Sequence, residues 1–414
     1  MKNHSTNPHR RRSLTAAATT ALACAFPALG TGFRLPDQDA FATARGEAFA
    51  ATADNASAIF YNPAGITQLE GQQFRGGVFG IKTDSDYTAP GGQEYDNRND
   101  LHAVPQLFYT YKSESLPLAY GLGLYSPFGL SNEWPEDTGF RTVGIRGRLS
   151  YFTINPVVAW EITPGLSIAA GPMVNFVDTA LRQGFATPVA GLGDQLRFEG
   201  NGWSAGFNAG LMWKINPQFQ FGLNYRSATT VELKGDTTWN LLGLNPTASS
   251  EWKFPQNIVA GLSFRPTPAW NLEFNVDWTD WSRLNTFVIQ QQAVPGLPLN
   301  PLPLPFHWES SFYYEFGATR YLDNGWTVSG GYIYNENSVP DVTYNPLVAD
   351  LDRHFWSVGV GRRGKRLDYD LAYQFGYGPT RTVAGSLVSP LGQSADGRYE
   401  FMSHAIFITV GARF

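Results

Sequence analysis

RRGKRLDYDLAYQFGY, residues 362–377, decides the fold. Its first five residues form a tight charged joint. The rest alternates strictly, with Leu367, Tyr369, Leu371, Tyr373, Phe375 and Tyr377 on one face and Asp368, Asp370, Ala372, Gln374 and Gly376 on the other. Successive side chains of a strand point to opposite faces, so a period of two predicts a strand that is apolar on one side and polar on the other. Trp270, Leu272, Phe274, Val276 and Trp278 oppose Asn271, Glu273, Asn275, Asp277 and Thr279 in the same way. A soluble sandwich would also alternate. Lipid is favoured by the Trp and Tyr at both ends of the apolar face, which read as interfacial girdles. The opposite faces are small and hydrophilic (Ser204, Gly206, Asn208 and Gly210; Gln220, Gly222, Asn224 and Arg226), which suits a lumen better than a packed core.

Working outward, the joint at Arg362 is one of a set. SESLPL (from Ser113), EITPGL (from Glu161), KINPQF (from Lys214), RPTPAW (from Arg265) and YLDNGW (from Tyr321) are rich in the Pro, Gly, Asn and Asp that hairpin turns need. The connections on the opposite side are long. Short turns on one side and long loops on the other are the pattern of an outer-membrane β-barrel. Strands are expected to begin near residues 73, 104, 119, 149, 165, 202, 218, 253, 269, 307, 325, 353, 366 and 398. An even count of about fourteen returns both barrel ends to the periplasm. The last strand alternates from Phe401 and ends on Phe414, an aromatic facing lipid. A correctly alternating strand that ends on Phe resembles the signal read by barrel-assembly machinery.

The composition agrees. The 414 residues are 43% hydrophobic but only 16% charged, with no apolar run long enough for a membrane helix, so a membrane would be crossed by strands. Arg10, Arg11 and Arg12 followed by the apolar stretch Leu14 to Leu29 predict a secretory signal over residues 1–30. Cleavage after Ala28-Leu29-Gly30 is preferred to Ala23-Cys24-Ala25. The arginine run invites a twin-arginine reading, but a barrel crosses the inner membrane unfolded. Cys24, the single cysteine, invites a lipoprotein reading against a poor upstream match in Ala21-Leu22-Ala23. With cleavage after Gly30 the mature chain has no cysteine. A net charge of −5 offers no basic patch for nucleic acid.

Residues 31–71 break the alternation. The Ala-rich stretch Asp37 to Ala51 is expected to be helical, and Asn55, Asn62, Pro63 and Gly65 mark turns. Such a segment either hangs in the periplasm or plugs the lumen, and its small residues of mixed polarity suit a plug. ADNASAIFYNPAGITQLEG (Ala53 to Gly71), with Asn62-Pro63-Ala64, resembles the hatch of the outer-membrane long-chain fatty acid transporter (FadL) family. YGLGLYSPFGL (from Tyr120), TINPVVAW (from Thr153), GLNYRS (from Gly222), VDWTDWSR (from Val276) and LDRHFWSVGVG (from Leu351) extend the resemblance across the mature chain.

The resemblance implies an all-β transmembrane barrel of fourteen antiparallel strands, 72–414, monomeric, its lumen closed by a partly helical hatch, 31–71. Its Gram-negative outer-membrane lipids would surround it. It implies passive uptake of long-chain fatty acids or similar hydrophobic molecules, with no cofactor or metal. Neutral aromatic hydrocarbons are the alternative substrate. It further implies an inward kink in the third strand that opens the wall sideways. Gly121, Gly123, Pro127 and Gly129 supply the means, since Pro cannot donate to a sheet ladder and Gly bends strands. Equally, these glycines could line a crowded lumen and Pro127 could end the strand.

A fatty acid needs an apolar groove and a cation. Phe128, Leu130, Trp134 and Phe140 after the third strand, and Leu181, Phe185, Val189 and Leu192 after the fifth, are candidates for capture, with Val294–Phe306 as an apolar cover. Each could instead pack on itself above the barrel. Parity puts Arg226 and Arg353 in the lumen, toward its outer half, as candidate cations, unless they pair with carboxylates such as Glu273, Asp277 or Glu315. His404 falls on the lipid face. The histidines have no Ser and acidic partners in a hydrolytic pattern, so no catalytic residue is assigned, and an outer-membrane lipid hydrolase is a remote alternative. A general porin is disfavoured by the hatch.

Overall fold

The computed structural model describes residues 32–414 except 99–100, 187–192, 194, 298 and 349. The proposed signal and the capture candidates Val189 and Leu192 lie outside the described residues. Fourteen antiparallel spans close into a barrel. They are β1 Gln72–Thr88, β2 Leu101–Lys112, β3 Leu118–Tyr125 resuming at Gly129–Glu133, β4 Arg146–Thr163, β5 Leu166–Gly184 and β6 Gln195–Lys214. β7 is Phe219–Arg226 with Thr229–Trp239, β8 Thr247–Phe254 with Asn257–Thr267, β9 Trp270–Thr279 with Thr286–Gln291, and β10 Leu302–Pro305 with Ser311–Tyr321. β11 Trp326–Asn335, β12 Arg353–Arg363, β13 Leu367–Val383 and β14 Gly397–Arg413 complete it. Closure is a seam from Gln73↔Arg413 to Thr88↔Arg398.

Alternation sets the two faces. On β14, Met402, His404, Ile406, Ile408 and Val410 point out, while Phe401, Ser403, Ala405, Phe407 and Thr409 are buried inside. Phe74, Trp160, Trp213, Trp270, Trp326 and Phe414 are exposed at the short-turn end, and Trp203, Phe312, Trp356 and Tyr377 at the other. These are the two aromatic girdles of a lipid-facing band. His404 is on this outer face, its Nδ1 2.8 Å from the Tyr373 hydroxyl.

Sequence alternation did not reveal that β7, β8, β9 and β10 are each interrupted. At the breaks the chain turns inward, and Phe254, Trp281 and Trp308 pack around Phe33 with ring centroids 5.9, 5.1 and 5.5 Å away. A buried aromatic cluster against the N-terminal segment compensates the lost ladder bonds. The tenth span, expected from residue 307, thus begins earlier at Leu302 and leaves the sheet between Pro305 and Ser311.

The N-terminal segment lies inside the barrel, buried along almost its whole length. The helix expected over Asp37 to Ala51 is cut to α1, Ala40–Ala44, because Gly46 and Glu47 both adopt left-handed backbone (φ 59° each). Asp39 caps α1 by accepting from the Phe41 and Ala42 amides. Two further short turns come next, α2 Ala58–Tyr61 and a 3₁₀ turn Pro63–Gln68. The small wall residues are docking points: a Cβ at Gly222 would lie 2.1 Å from the Ala50 carbonyl, and one at Gly331 2.0 Å from the Gly46 nitrogen.

Lumenal carboxylates grip this segment. Glu273 accepts from the amides of Ala51 (2.8 Å) and Thr52 (2.9 Å) and from the Thr52 hydroxyl, and lies 3.5 Å from Arg45. Asp277 pairs with Arg34, and Arg75 bridges Asp39 and Asp370. Glu273→Ala is therefore expected to cost about 3–5 kcal/mol of docking, because it leaves a buried guanidinium and two amides short of partners. Hydrogen exchange over residues 45–52 checks this; unchanged protection would remove Glu273 as an anchor.

Candidate functional site

β3 is a second region where the wall is not continuous. Its lower part pairs with β2 as far as Leu107↔Leu124 and with β4 as far as Tyr125↔Thr153. It resumes at Gly129↔Ser150, so Ser126, Pro127 and Phe128 stand opposite only Tyr151 and Phe152. The surplus residue makes a bulge, and residues 126–130 are all buried where the strand should alternate. The bulge folds inward onto the N-terminal segment: Leu35 N–H donates to the Pro127 carbonyl (2.9 Å), and Gly129 N–H to that of Phe33 (2.7 Å). β2 residues 101–106 keep their pairing to β1 but have no described pairing to β3. Above the gap the strands are rejoined by Asn97 to Asn132 (3.0 Å) and Arg98 N–H to the Glu133 carbonyl (2.8 Å). Behind it lies an apolar patch in which Leu35, Ala40 and Ala44 pack with Phe79, Val104 and Phe407.

The candidate opening residues divide. Pro127 is in the bulge and Gly129 ends it. Gly121 and Gly123 sit lower, in regularly paired strand, and seat Ile59: a Cβ at either would come within 2.9 Å of that side chain. The Asn62-Pro63-Ala64 tripeptide is a structural joint. The Asn62 side chain accepts from Ala64 N–H (3.2 Å) to cap the turn that Pro63 begins, and donates to the carbonyls of Ala50 (2.8 Å) and Leu211 (3.0 Å).

The capture candidates divide between strands and loops. Phe128 is in the bulge, Leu130 in the upper part of β3 and Leu181 in β5; Trp134, Phe140 and Phe185 lie beyond strand ends. All belong to one apolar cluster above the N-terminal segment. Within it Leu130, Leu181 and Phe306 meet Phe33, Trp252 and Leu347 around a slit of about 40 Å³. Pockets that hold small ligands span roughly 300 Å³ or more, so the slit is closed. Thr179, Gln183 and Asn345 are its polar lining, and among the described residues no charged one lines it. Trp134 and Phe140 pack beside it on Tyr87, and Trp134 Nε1–H donates to the Pro346 carbonyl (2.9 Å). Segment 336–352, which carries Leu347, is latched by Arg381 through Asp341, Asn337 and two carbonyls.

Neither candidate cation lines the slit. Arg226 ends the lower part of β7, beside α2 rather than in the outer half: it stacks 4.3 Å from the Phe60 ring centre and donates to the Phe60 carbonyl (3.0 Å). Arg353 opens β12 at the long-loop end, fully buried and 4.0 Å from the Phe401 ring centre. The expected carboxylates serve other groups, Glu273 and Asp277 holding Arg45 and Arg34. Those two arginines and Arg75 were not singled out from sequence. The signal was available, since β9 and β10 place Glu273, Asp277 and Glu315 in the lumen and the N-terminal segment carries Arg34 and Arg45. On the short-turn side a wider cavity of about 900 Å³ opens below, bordered by Asp54, Tyr321, Arg363 and Arg413.

A closed fourteen-stranded barrel, filled by its own N-terminal segment and breached at the third strand, defines an outer-membrane transport channel of the FadL type. The chain belongs to the outer membrane protein transport protein (OMPP1/FadL/TodX) family, whose sequence profile matches residues 21–414. It is similar to the long-chain fatty acid transport protein of Escherichia coli strain K12, 23% identical over 384 residues, covering 79% of this chain and 83% of that one. Its fold is similar to that of a Pseudomonas aeruginosa FadL homologue (TM-score 0.82, 17% identity, 92% of this chain and 100% of that). The Ralstonia pickettii toluene transporter TbuX has the same fold (TM-score 0.73, 18% identity, 91% and 98%). The protein is thus an outer-membrane transporter of hydrophobic molecules.

Proposed function

We propose that this protein takes up long-chain fatty acids or similar hydrophobic molecules passively, as a single barrel inserted by assembly machinery that reads Phe414. Substrate enters the slit at Leu130, Leu181 and Phe306 when segment 336–352 lifts. It passes the N-terminal segment, residues 31–71, which acts as a hatch, and leaves sideways between β2 and β3 into the membrane. The unpaired stretch of β2 backed by the apolar patch at Val104 and Phe407 carries this reading. In that scheme the slit takes the apolar body, and Arg226 or Arg353 takes a carboxylate.

Rates of transfer into liposomes test it. Leu149→Glu, in the lining of the slit, is expected to slow uptake of every substrate at least tenfold, because a carboxylate there is desolvated without a partner. Arg226→Leu or Arg353→Leu is expected to weaken fatty-acid binding about tenfold, from a charge-assisted contact of about 1.5–3 kcal/mol, and to leave toluene binding unchanged. The uncharged lining of the slit favours a second reading, import of neutral aromatic hydrocarbons. Undiminished binding of both ligands in the arginine variants would select it, and equal weakening of both would make the arginines structural.

A further inference from the structure

Arg34, Asp39 and Arg45, buried charges of the hatch, each meet an opposite one. Asp37 and Glu47 meet each other. The Tyr61 hydroxyl sets them side by side, since it is bound between the Gln38 amide and the Pro36 carbonyl (3.0 Å each) on either side of Asp37, and Asp37 also faces Gln374 of β13. The Tyr61 hydroxyl donates to Glu47 Oε2 at 2.6 Å, and the Thr43 hydroxyl reaches Asp37 Oδ1 at 3.4 Å. Among the described residues no hydrogen-bond donor reaches Glu47 Oε1. Both residues are buried, 7% and 2% exposed. Two buried carboxylates side by side resist joint ionisation, and a proton held between them makes the contact attractive.

The backbone is shaped for this contact. Glu47 follows Gly46 with both in the left-handed region, and a residue other than glycine persists there only where its surroundings hold it. The turn brings Glu47 back to Asp37, so residues 37–47 form a loop closed at its ends by the carboxyl pair. Ala40 and Ala44, within that loop, rest on the apolar patch behind the gap between β2 and β3.

We propose that Asp37 and Glu47 form a proton-held clasp: with a proton shared, the loop 37–47 stays folded against β1 and β13 and covers the gap, and with both ionised it is released. The clasp itself rests on the contact; its effect on passage rests on the transport reading above. The groups facing the pair do not offset its ionisation. Tyr61 is bonded to Glu47, Asp39 is held by Arg75, and Glu315 of β10 adds negative charge from the wall. Across a cavity of about 20 Å³, Arg34 is neutralised by Asp277 and Arg226 is stacked on Phe60. Burial pushes the Asp37 carboxyl up to about 6, and burial followed by repulsion from Asp37 holds Glu47 well above the usual carboxylate range. Groups raised in the folded state stabilise it at low pH, so the clasp is present in acid and lost as pH climbs through about 6 and beyond.

Hydrogen exchange of the full-length barrel in nanodiscs, corrected for intrinsic rates, tests it between about pH 5 and pH 9. Residues 37–47 are expected to exchange at least tenfold faster at the upper limit, relative to residues 58–66 of the same hatch. Asp37→Asn and Glu47→Gln, which keep a hydrogen bond but cannot lose the shared proton, are expected to flatten that profile. A flat profile in the unmodified protein, or the same slope in folded variants, overturns the clasp. Liposome uptake is scored separately: flat exchange with normal uptake removes the clasp alone, while pH-dependent exchange without uptake supports the clasp and removes the transport reading.

Discussion

Deletion of Pro127 is expected to slow release of a hydrophobic substrate into liposomes more than tenfold while leaving its binding at the slit intact. The reason is register. Ser126, Pro127 and Phe128 stand against two residues of β4, and removing one leaves two against two, so that Gly129–Glu133 continues the pairing of Leu118–Tyr125. The strand then returns to the wall, where β2 residues 101–106 offer unpaired backbone groups to meet it. Heat-dependent gel migration would verify that the barrel is folded. Transfer at the unmodified rate would mean that substrate leaves through the wide cavity beside Asp54 and Arg413 instead.

Removal of residues 31–71 is expected to convert the protein into an open pore, with a several-fold rise in single-channel conductance and loss of selective uptake. The hatch fills the barrel at mid-depth, and the wall it leaves is lined by Asn208, Asn224, Asn271 and Asn275, which water can solvate at little cost. Apart from the bulge at Pro127, which bonds Phe33 and Leu35, the wall's ladder bonds run from strand to strand around a closed ring. Unchanged conductance in a correctly inserted deletion would show that residues 31–71 do not close the channel.

The strand count, facing and turns were legible because membrane strands must alternate, and each inner-face residue has a polarity fixed by its side of the wall. The joints at Glu161 and Lys214 fall between β4 and β5 and between β6 and β7, where the pattern placed them. The breaks in β7 to β10 were not legible. Alternation does not single out Trp281 and Trp308, which are held inward against Phe33, some 250 residues earlier in sequence. The hatch helix was overextended for a related reason: Ala favours a helix locally, but the left-handed turn at Gly46 and Glu47 is set by contacts with Asp37 and Asn275. For the site, parity put Arg226 and Arg353 inside the barrel correctly. It carried no information on depth, and so could not show that neither reaches the slit.

The seam between β1 and β14 has a consequence for assembly. The hatch is joined directly to β1, the first strand, and the wall is completed only when the chain's final residues pair with it. A segment tethered to one side of that seam is expected to dock more readily on an open sheet than in a finished ring, so its docking is predicted to precede closure. It also meets the last strand: the Ala40 amide donates to the Thr409 hydroxyl at 3.0 Å, and Leu35 and Ala40 share the patch that holds Phe407. If these contacts form before closure, a variant that undocks residues 31–71 is expected to lengthen the lifetime of the open sheet, which pulse proteolysis during refolding would measure.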